Sequence, residues 1–349
     1  MSNCRILFFG DQTETDFGIE ELLNHAGDSK HLKTYLDEAL RVSREIVNGI
    51  DEEDPRKLRF DTLSALVGRV EHEESPPIVL RALTLCFAQL GHLIIRLEKD
   101  STLRELWADQ KLLVVASCAG QLPASLAATA RSIDDLVKAA PEILALTIRA
   151  ALDADRKTDA VGDDRTKSWA YAVFGISMPQ AVDAAAGFNL RKGVASASRL
   201  YIGATSAWAT TVIGPPSFLA EFFAADPFPG KRAIALPIHT LFHAEHLEKP
   251  NIREMIGTAP NLERLRLEET CFISSSSALP FVPQGLRDLA GEAVLNINAR
   301  VTDNTKVFAA VKGILGGRNA VITPIVAKKG AARLVKALGE ETACIEDVA

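Results

Sequence analysis

Residues 112–124 read LLVVASCAGQLPA, a stretch in which an apolar run meets a cluster of small residues. The four leading apolar residues predict a short buried strand, and a helix is predicted to begin at about Cys118 or the residue after it. A strand that turns sharply into a helix needs small residues at the turn, because neighbouring backbones come close there. Ala116 and Gly120 meet that need. The pattern therefore predicts a strand-to-helix elbow with a thiol at its corner.

Two interpretations of Cys118 fit this local pattern. In the first, the thiol is a nucleophile at a helix N-terminus, where backbone N–H groups lower its pKa and stabilise a developing oxyanion. In the second, Cys118 is a buried core cysteine, as most free cysteines are. The residues around Cys118 leave both interpretations open.

A thiol nucleophile needs a base, and three of the seven histidines lie together in LPIHTLFHAEHLEKP (236–250). His239, His243 and His246 follow a strand predicted over 231–238, so one of them can reach a nucleophile at a neighbouring strand end. The H-x3-H-x2-H spacing also resembles a metal-ligand set, although the helical HExxH arrangement is absent. Three surface or capping histidines are the purely structural alternative.

Composition narrows the class of protein. The chain has 349 residues, a formal net charge of −6 and 47% hydrophobic residues, which is ordinary for a globular protein. The acidic balance, without a cluster of Lys and Arg, argues against nucleic-acid binding. Five widely spaced cysteines without a CxxC pair argue against a disulfide framework or structural zinc and favour a reducing compartment.

Two apolar segments raise the question of targeting and membranes. The run in MSNCRILFFGDQT at the N-terminus is too short for a signal peptide. The long apolar segment from Pro76 contains Arg81, Gln89, His92 and Arg96, which favours a buried helix over a membrane span. We therefore expect a cytoplasmic protein without membrane association.

Buried strands alternate with helices along the first part of the chain, which predicts a parallel sheet covered by helices. The predicted strands are 6–9 and 112–115, the helices are 17–26, 31–49, 58–70, 78–98 and 132–152, and a charged turn is predicted at 51–57. The polar stretch 153–167 is predicted as a boundary. The next segments predict an inserted βαββαβ module: 168–176, 178–190, 200–214, 217–226 and 231–238. Residues 239–349 predict helices with one strand at 320–326.

Four motifs together resemble a known family: ILFFGDQT, ASCAGQLPA, TTVIGPPSFL and LPIHTLFHAEHL. They occur in the order and spacing of the starter-unit acyl-carrier-protein transacylase (SAT) domains of fungal non-reducing polyketide synthases. The similarity covers 5–247 and, more loosely, the remainder. It implies an α/β, malonyl-transacylase-like fold. An α/β hydrolase-like large subdomain (1–165 and 239–349) would carry an inserted ferredoxin-like small subdomain (166–238).

The resemblance also implies roles for single residues. Cys118 lies at the nucleophile of the family's GxCxG motif, and His243 lies at its catalytic histidine. The backbone N–H groups of Gln12 and Ala119 would form the oxyanion hole. The acyl pocket would be shaped by three residues: Phe242, Ile213 and Gly214.

The sequence departs from the family pattern at one position and leaves another unassigned. Ala116 replaces the first glycine of GxCxG, so one additional methyl group must fit in the elbow. Malonyl-specific relatives bind a carboxylate with an arginine in the region of Arg149, but at a closer spacing. A helix-surface role for Arg149 is the better interpretation, which agrees with starter groups that lack that carboxylate.

The implied function is transfer of a starter acyl group by ping-pong thioester exchange. Phosphopantetheine thioesters, on carrier proteins or CoA, would be substrates, and no bound cofactor or metal is expected. The expected partners are carrier-protein domains and a following ketosynthase domain. Alternatives are an acyl-thioester hydrolase and an inactive docking domain. The residues that could bind an acidic carrier domain are Arg131, Lys138, Arg191, Lys192 and Arg199.

Overall fold

The computed structural model describes residues 4–50, 60, 62–72 and 77–346, so the turn predicted at 51–57 lies outside the described residues. The strands are β1 Cys4–Phe9, β2 Leu113–Ala116, β3 Ala170–Phe174, β4 Tyr201–Thr205, β5 Ala209–Ile213, β6 Ala233–Ala235, β7 Arg266–Leu267, β8 Cys271–Phe272, β9 Gln284–Gly285, β10 Thr302–Asp303, β11 Ala320–Ile325 and β12 Ala343–Ile345.

Fourteen α-helices are present in the described part of the chain. They are α1 Ile19–His25, α2 Lys30–Asn48, α3 Leu63–His72, α4 Ile78–Lys99, α5 Ser101–Ala108, α6 Gln121–Thr129, α7 Ile133–Val161, α8 Met178–Lys192, α9 Pro216–Ala224, α10 Ile252–Ile256, α11 Pro260–Arg264, α12 Leu286–Ala299, α13 Asn304–Leu315 and α14 Lys328–Leu338. Two 3₁₀ turns span Cys118–Gly120 and Ser196–Ser198.

The larger sheet is parallel throughout, in the order β12-β11-β1-β2-β8. Strand β1 lies at its centre because the run Ile6–Phe9 is apolar on both faces and is buried on both. In the register of β1 and β2, Phe9 pairs with Ala116. The loop after β1 and the turn after β2 therefore leave the sheet side by side at its carboxyl edge, where sites in α/β folds form.

The smaller sheet has the order β10-β4-β5-β3-β6, with antiparallel pairing from β4 to β6. The elements β3, α8, β4, β5, α9 and β6 fall in the predicted βαββαβ segments, and their strand order is ferredoxin-like. Apolar residues of α8 and α9, such as Phe188 and Phe222, pack on this sheet. Strand β10 adds in parallel at the edge of β4. It comes from outside 166–238, and the assignment of that range as a separate subdomain stays a prediction.

Helix α4 is the central helix of the core. Among the described residues it is the one helix long and apolar enough to cross a membrane, and 89% of its most apolar window is buried inside the protein. The helices α2 and α7 pack against it. The sequence prediction of a buried helix is confirmed.

Two predictions about organisation are wrong. Helix α7 does not end near residue 152 but continues to Val161, through most of the predicted boundary. The polar residues there form a helix face, in which Lys157 pairs with Asp153, while Ala154 and Thr158 are buried on the other side. The C-terminal part also contains more than one strand, since β7, β8, β9, β10 and β12 are present. These strands have two or three residues, too few to produce a sequence period.

Candidate active site

The strand-to-helix elbow predicted at Cys118 is present. Strand β2 ends at Ala116, and Cys118 has a positive φ of 42°, a strained conformation that is typical of functional turns. A 3₁₀ turn follows, and α6 begins at Gln121. A Cβ atom on Gly120 would lie 2.3 Å from the carbonyl oxygen of Gly10, so only glycine fits where the elbow crosses the end of β1.

The alanine at the first position of the GxCxG motif fits the elbow. Ala116 is the last residue of β2, is 1% exposed and belongs to the main apolar core. Its methyl group is directed into packing that a glycine would leave emptier. The departure from the family pattern is therefore compatible with the turn that positions Cys118.

Cys118 and His243 are in direct contact. The Sγ atom of Cys118 lies 3.0 Å from Nε2 of His243, and both residues are buried. The other ring nitrogen, Nδ1, lies 2.8 Å from the carbonyl oxygen of Arg300 and 3.0 Å from that of Asn296. Carbonyl oxygens only accept hydrogen bonds, so Nδ1 carries the proton of the neutral ring. Nε2 is then free to accept the proton of the thiol.

The C-terminus of α12 holds His243 in place. The His243 N–H donates to the carbonyl of Ile297 and the Ala244 N–H donates to that of Asn298, both at 2.9 Å. Together with the ring contacts, these bonds use carbonyls that the end of a helix leaves without intrahelical partners. The negative end of the helix dipole therefore faces the imidazole and favours its protonated form.

The ionisation of this pair differs from the sequence prediction, which gave Cys118 a lowered pKa. Burial raises the pKa of the Cys118 thiol, the charge of Asp11 raises it further, and a hydrogen bond from the Ala119 N–H opposes them. Burial lowers the pKa of His243, against the two carbonyl contacts and Asp11. Desolvation outweighs the helix terminus, because burial disfavours any charged form. Both shifts favour a neutral thiol beside a neutral imidazole at rest.

Gln12 lies in the loop 10–18 that follows β1, beside the elbow, and is 3% exposed. Side chains of helix α4 donate hydrogen bonds to backbone carbonyl groups of this loop. Arg81 donates from Nε to the carbonyl of Gln12 at 2.8 Å and from a terminal nitrogen to that of Glu14 at 3.0 Å. Gln89 donates from Nε2 to the carbonyl of Gly10 at 2.9 Å.

These α4 residues were missed as site residues by the sequence analysis, although their polarity was noticed. His92, the third of them, donates from Nε2 to the carbonyl of Phe17 at 3.0 Å. Arg81, Gln89 and His92 are polar side chains in an otherwise apolar helix. This contrast could have identified them from the sequence, because polar side chains in the protein interior are generally hydrogen-bonded.

A further missed residue, Asn296, connects the elbow with the base. Asn296 is fully buried on α12, and its Nδ2 donates to Oε1 of Gln121 at 2.8 Å and to Oγ of Ser274 at 3.2 Å. Gln121 opens α6 directly after the elbow, and the carbonyl of Asn296 faces the ring of His243. No local pattern in the sequence marks Asn296, because its partners come from distant segments.

The three residues predicted to shape the acyl pocket lie on or beside β4 and β5. A Cβ atom on Gly203 would lie 2.2 Å from Cδ1 of Ile213 and 3.5 Å from Cβ of His243, so Ile213 and His243 flank the same glycine. Phe242 is buried, and its carbonyl accepts a hydrogen bond from the Tyr201 hydroxyl at 2.7 Å. Gly214 follows β5, and its N–H donates to the carbonyl of Trp169.

The two neighbouring histidines have other partners. His239 approaches the carbonyl of Lys167 at 2.9 Å through Nδ1, and the ring of His246 packs 4.6 Å from that of Tyr201. Within the described ranges, no group of three or more His, Cys, Asp or Glu side chains is arranged to hold a metal ion. Of the three histidines, His243 is the one in contact with Cys118.

Arg149 has a structural contact. It donates from one terminal nitrogen to the carbonyl of Met255 at 2.8 Å and to that of Ile256 at 3.2 Å. These carbonyls end α10, so Arg149 connects α7 to the C-terminus of that helix.

Comparison with protein families and characterised proteins places the chain in a family. The family model described as "Starter unit:ACP transacylase in aflatoxin biosynthesis" (SAT) matches residues 7–243. The non-reducing polyketide synthase PKS16 of Cladonia grayi is 30% identical over 91% of this chain, which spans 15% of that synthase. Ascochitine biosynthesis cluster protein 8 of Didymella fabae is 25% identical, over 96% of this chain and 88% of that protein.

Solved structures of malonyl transacylases share the fold. The malonyl CoA-acyl carrier protein transacylase of Burkholderia pseudomallei aligns with a TM-score of 0.64 at 17% identity, over 98% of this chain and 99% of that one. A malonyl-transacylase in complex with a type II polyketide synthase acyl-carrier protein, PlMCAT:AntF, aligns with a TM-score of 0.63 at 14% identity, over 99% and 96%. The predicted malonyl-transacylase-like fold is confirmed, and the match of the SAT model over most of the chain means that this protein belongs to the SAT family of acyltransferases.

Proposed function

We propose that this protein is a starter-unit acyltransferase. It moves an acyl group from an acyl thioester, on a carrier protein or on CoA, to Cys118 and then to the phosphopantetheine thiol of a synthase's own carrier domain. The observation that carries this proposal is the 3.0 Å contact between Sγ of Cys118 and Nε2 of His243, with Nδ1 of the ring on backbone carbonyls. A nucleophile, a base and a group that orients the base are thereby in one place.

In the first half-reaction, Nε2 of His243 accepts the thiol proton as Sγ of Cys118 attacks the thioester carbonyl carbon. The carbonyl oxygen becomes an oxyanion, and the N–H groups of Gln12 and Ala119 stabilise it. When the tetrahedral intermediate collapses, the bond to the donor sulfur breaks, and the departing thiolate takes the proton back from His243. The acyl group is left on Cys118 as a thioester.

The second half-reaction reverses these steps with a new thiol. The phosphopantetheine thiol gives its proton to His243 and attacks the acyl group, and Cys118 leaves and regains the proton. Donor, intermediate and product are all thioesters, so neither half-reaction is strongly uphill. This exchange needs neither a bound cofactor nor a metal ion, and phosphopantetheine enters only as part of the substrates.

The loop contacts support the role of the Gln12 N–H. The Asp11 carbonyl accepts the Glu14 N–H at 3.1 Å, which fixes the peptide between Asp11 and Gln12. The carbonyl and N–H of one trans peptide point in opposite directions, so the Gln12 N–H points away from Glu14. Ala119 follows the nucleophile directly, and its N–H faces the sulfur.

Burial of the pair supports transfer rather than hydrolysis. Cys118 is 6% exposed and His243 is 5% exposed, so the access of water to the resting pair is limited. Ile213, Phe242 and Gly214 are proposed to shape the space for the starter chain.

The proposed partners are carrier domains, with a ketosynthase domain in the same synthase, in the cytoplasm. Of the basic residues predicted to bind an acidic carrier domain, Arg131 pairs with Glu268 and Lys192 pairs with Glu221. Lys138, Arg191 and Arg199 are exposed. Charge reversal at these three should raise KM for carrier-bound donors but not for small thioesters, and equal effects on both would reject this docking surface.

Intact-protein mass spectrometry tests the proposed function. Wild type and Cys118→Ala are incubated with thioesters from acetyl to octanoyl, and the protein mass is followed over time. We expect one added acyl group on wild type and none on Cys118→Ala, with the preferred chain length identifying the starter class. Full loading of Cys118→Ala would refute the role of this residue, and rapid release of free acid would favour a hydrolase.

Replacement of single histidines tests the base. His243→Ala should slow loading severely, whereas His239→Ala, an alanine replacement in the same segment, should load at nearly the wild-type rate. An unchanged rate in His243→Ala would instead make His239 or His246 the candidate base. Wild-type protein that gains no acyl group from thioesters or from acylated carrier protein would favour an inactive docking domain.

A further inference from the structure

The carboxylate of Asp11 joins the loop 10–18 to the elbow. Its Oδ2 accepts a hydrogen bond from the hydroxyl of Ser117, the residue before the nucleophile, at 2.9 Å. Its Oδ1 accepts from the Thr13 N–H at 2.8 Å and from the Thr13 hydroxyl. One side chain therefore connects the two segments that carry Gln12 and Cys118, which are 106 residues apart.

We propose that Asp11 is a positioning residue that fixes the loop after β1 against the elbow, so that the N–H groups of Gln12 and Ala119 face one point. The oxyanion part of this inference rests on the proposed function. Paired backbone donors stabilise a charge only when both are aimed at it before the reaction begins. Helix α4 holds the loop by its carbonyls, and Asp11 adds the connection across to Ser117.

The charge of Asp11 also acts on the reacting pair. Burial raises the pKa of Cys118, and the charge of Asp11 adds to that shift. Burial lowers the pKa of His243 and of Arg81 on α4, and the charge of Asp11 opposes both of these shifts. On the same loop, burial first and the charge of Asp11 second raise the pKa of Glu14, and Lys329 of α14 opposes this shift. A negative charge here keeps the resting thiol protonated and stabilises the imidazolium that forms when His243 accepts a proton.

Alkylation of Cys118 tests this inference without acyl transfer. The rate of iodoacetamide labelling at Cys118 is measured against pH by peptide mass spectrometry, in wild type, Asp11→Asn and the control Asp16→Asn. Asp16 lies in the same loop but is exposed and pairs with Lys328. We expect a lower labelling midpoint in Asp11→Asn and an unchanged midpoint in Asp16→Asn. An unchanged or higher midpoint in Asp11→Asn would overturn the electrostatic role.

Transfer kinetics test the geometric role. Asp11→Ala loses both connections and should lower kcat on the order of 10-fold or more, with KM within about twofold, because a small misplacement of reacting groups is costly. Asp11→Asn should lower kcat less, since its amide oxygen can still accept from Ser117. Wild-type kcat in Asp11→Ala would overturn this role. If Asp11→Ala does not fold, Ser117→Ala removes the same hydrogen bond from the other side. It should likewise lower kcat while KM stays nearly unchanged.

Acyl loading of Cys118→Ala, measured beside the alkylation of Asp11→Asn, separates failure of the proposed function from failure of this inference. A protein in which Cys118 is not the nucleophile would transfer acyl groups in Cys118→Ala. The alkylation midpoint in Asp11→Asn would still report whether Asp11 acts on the thiol.

Discussion

Nδ1 of His243 lies 2.8 Å from the carbonyl oxygen of Arg300, so the backbone at the end of α12, and not a carboxylate, orients the base. A carboxylate at this position would hold the imidazolium more strongly. Carbonyls and a helix terminus supply only partial charges, and burial keeps the pKa of His243 below its usual value. Such a base suits a thiol, whose proton is more easily removed than that of a serine hydroxyl.

The contact between the elbow and the end of β1 predicts that Gly120 cannot be replaced. In Gly120→Ala the new methyl group would meet the carbonyl oxygen of Gly10, so the elbow and the loop must separate. We expect acyl loading to be nearly lost and stability to fall by about 1–3 kcal/mol. Urea unfolding and mass spectrometry measure both effects.

Gly313→Ala is the matched control for this replacement. Gly313 lies within α13 and has no heavy atom within 4 Å of an added Cβ atom. Alanine in a helix interior should stabilise it by about 0.5–1 kcal/mol, with unchanged loading. Equal behaviour of the two variants would contradict the close approach at Gly120.

The hydrogen bonds from α4 to the loop predict that replacement of Arg81 lowers the rate of acyl loading, although Arg81 is remote in sequence from the nucleophile. Arg81→Met keeps the apolar stem but leaves the carbonyls of Gln12 and Glu14 without donors. We expect a loading rate at least about 10-fold lower, because an oxyanion donor that is not held in place loses most of its benefit. Single-turnover loading measures this rate.

Arg96→Met provides the comparison, since Arg96 lies near the end of the same helix. Its loading rate should stay near that of wild type. A similar loss in both variants would indicate a general effect on α4 rather than an effect on the loop.

The position of Ile213 predicts a change in chain-length preference. Ile213 packs on Gly203 beside His243, so Ile213→Ala should open space next to the reacting pair. We expect the ratio of octanoyl to acetyl loading to rise, while the acetyl rate changes little. Competition between the two thioesters, followed by mass spectrometry, measures the ratio.

Ile202→Ala is the control, because Ile202 lies on the neighbouring strand β4 and packs in the core of the smaller sheet. It should lower stability without changing the ratio. A ratio unchanged in Ile213→Ala would remove Ile213 from the acyl pocket.

The buried histidines predict that stability falls in mild acid. The pKa of His246 is lowered from its ordinary value of 6.5 to about 4, by burial first and by the charge of Arg199 second. Between these two values the unfolded chain binds a proton that the folded protein does not. The contribution of His246 to the free energy of unfolding therefore decreases as pH falls from about 6.5 toward 4, and increases as pH rises through that range.

The pKa of His243 is also lowered, so His243 makes the free energy of unfolding depend more steeply on pH. His246→Gln removes one titrating group, so its free energy of unfolding should fall less steeply over the same range. Urea unfolding at a series of pH values measures the slopes. Equal slopes in wild type and His246→Gln would contradict a buried neutral His246.

Residue types near Cys118 were sufficient to predict the elbow, because a tight turn beside a neighbouring strand admits only small side chains. The buried helix α4 and the strands and helices of the smaller sheet were predictable for a similar reason. The side that an element buries determines where apolar residues recur along its sequence. The length of helix α7 was not predictable in this way, because Arg165, which lies beyond the helix, stabilises its polar end through ion pairs with Asp155 and Asp159.

The sequence by itself determined the fold class, the elbow and a short list of residues able to act at it. The spacing of the histidines left three candidates open and the family resemblance implied His243, but only the tertiary structure shows why His243 is the one in contact with Cys118. Its position depends on the carbonyls at the end of α12, more than 50 residues further along the chain. It also decided the burial that raises the pKa of the thiol and the hydrogen bonds that Asp11, Arg81 and Asn296 make around the pair. Ionisation and positioning depend on desolvation and on distances between distant segments, and both arise only when the chain is packed.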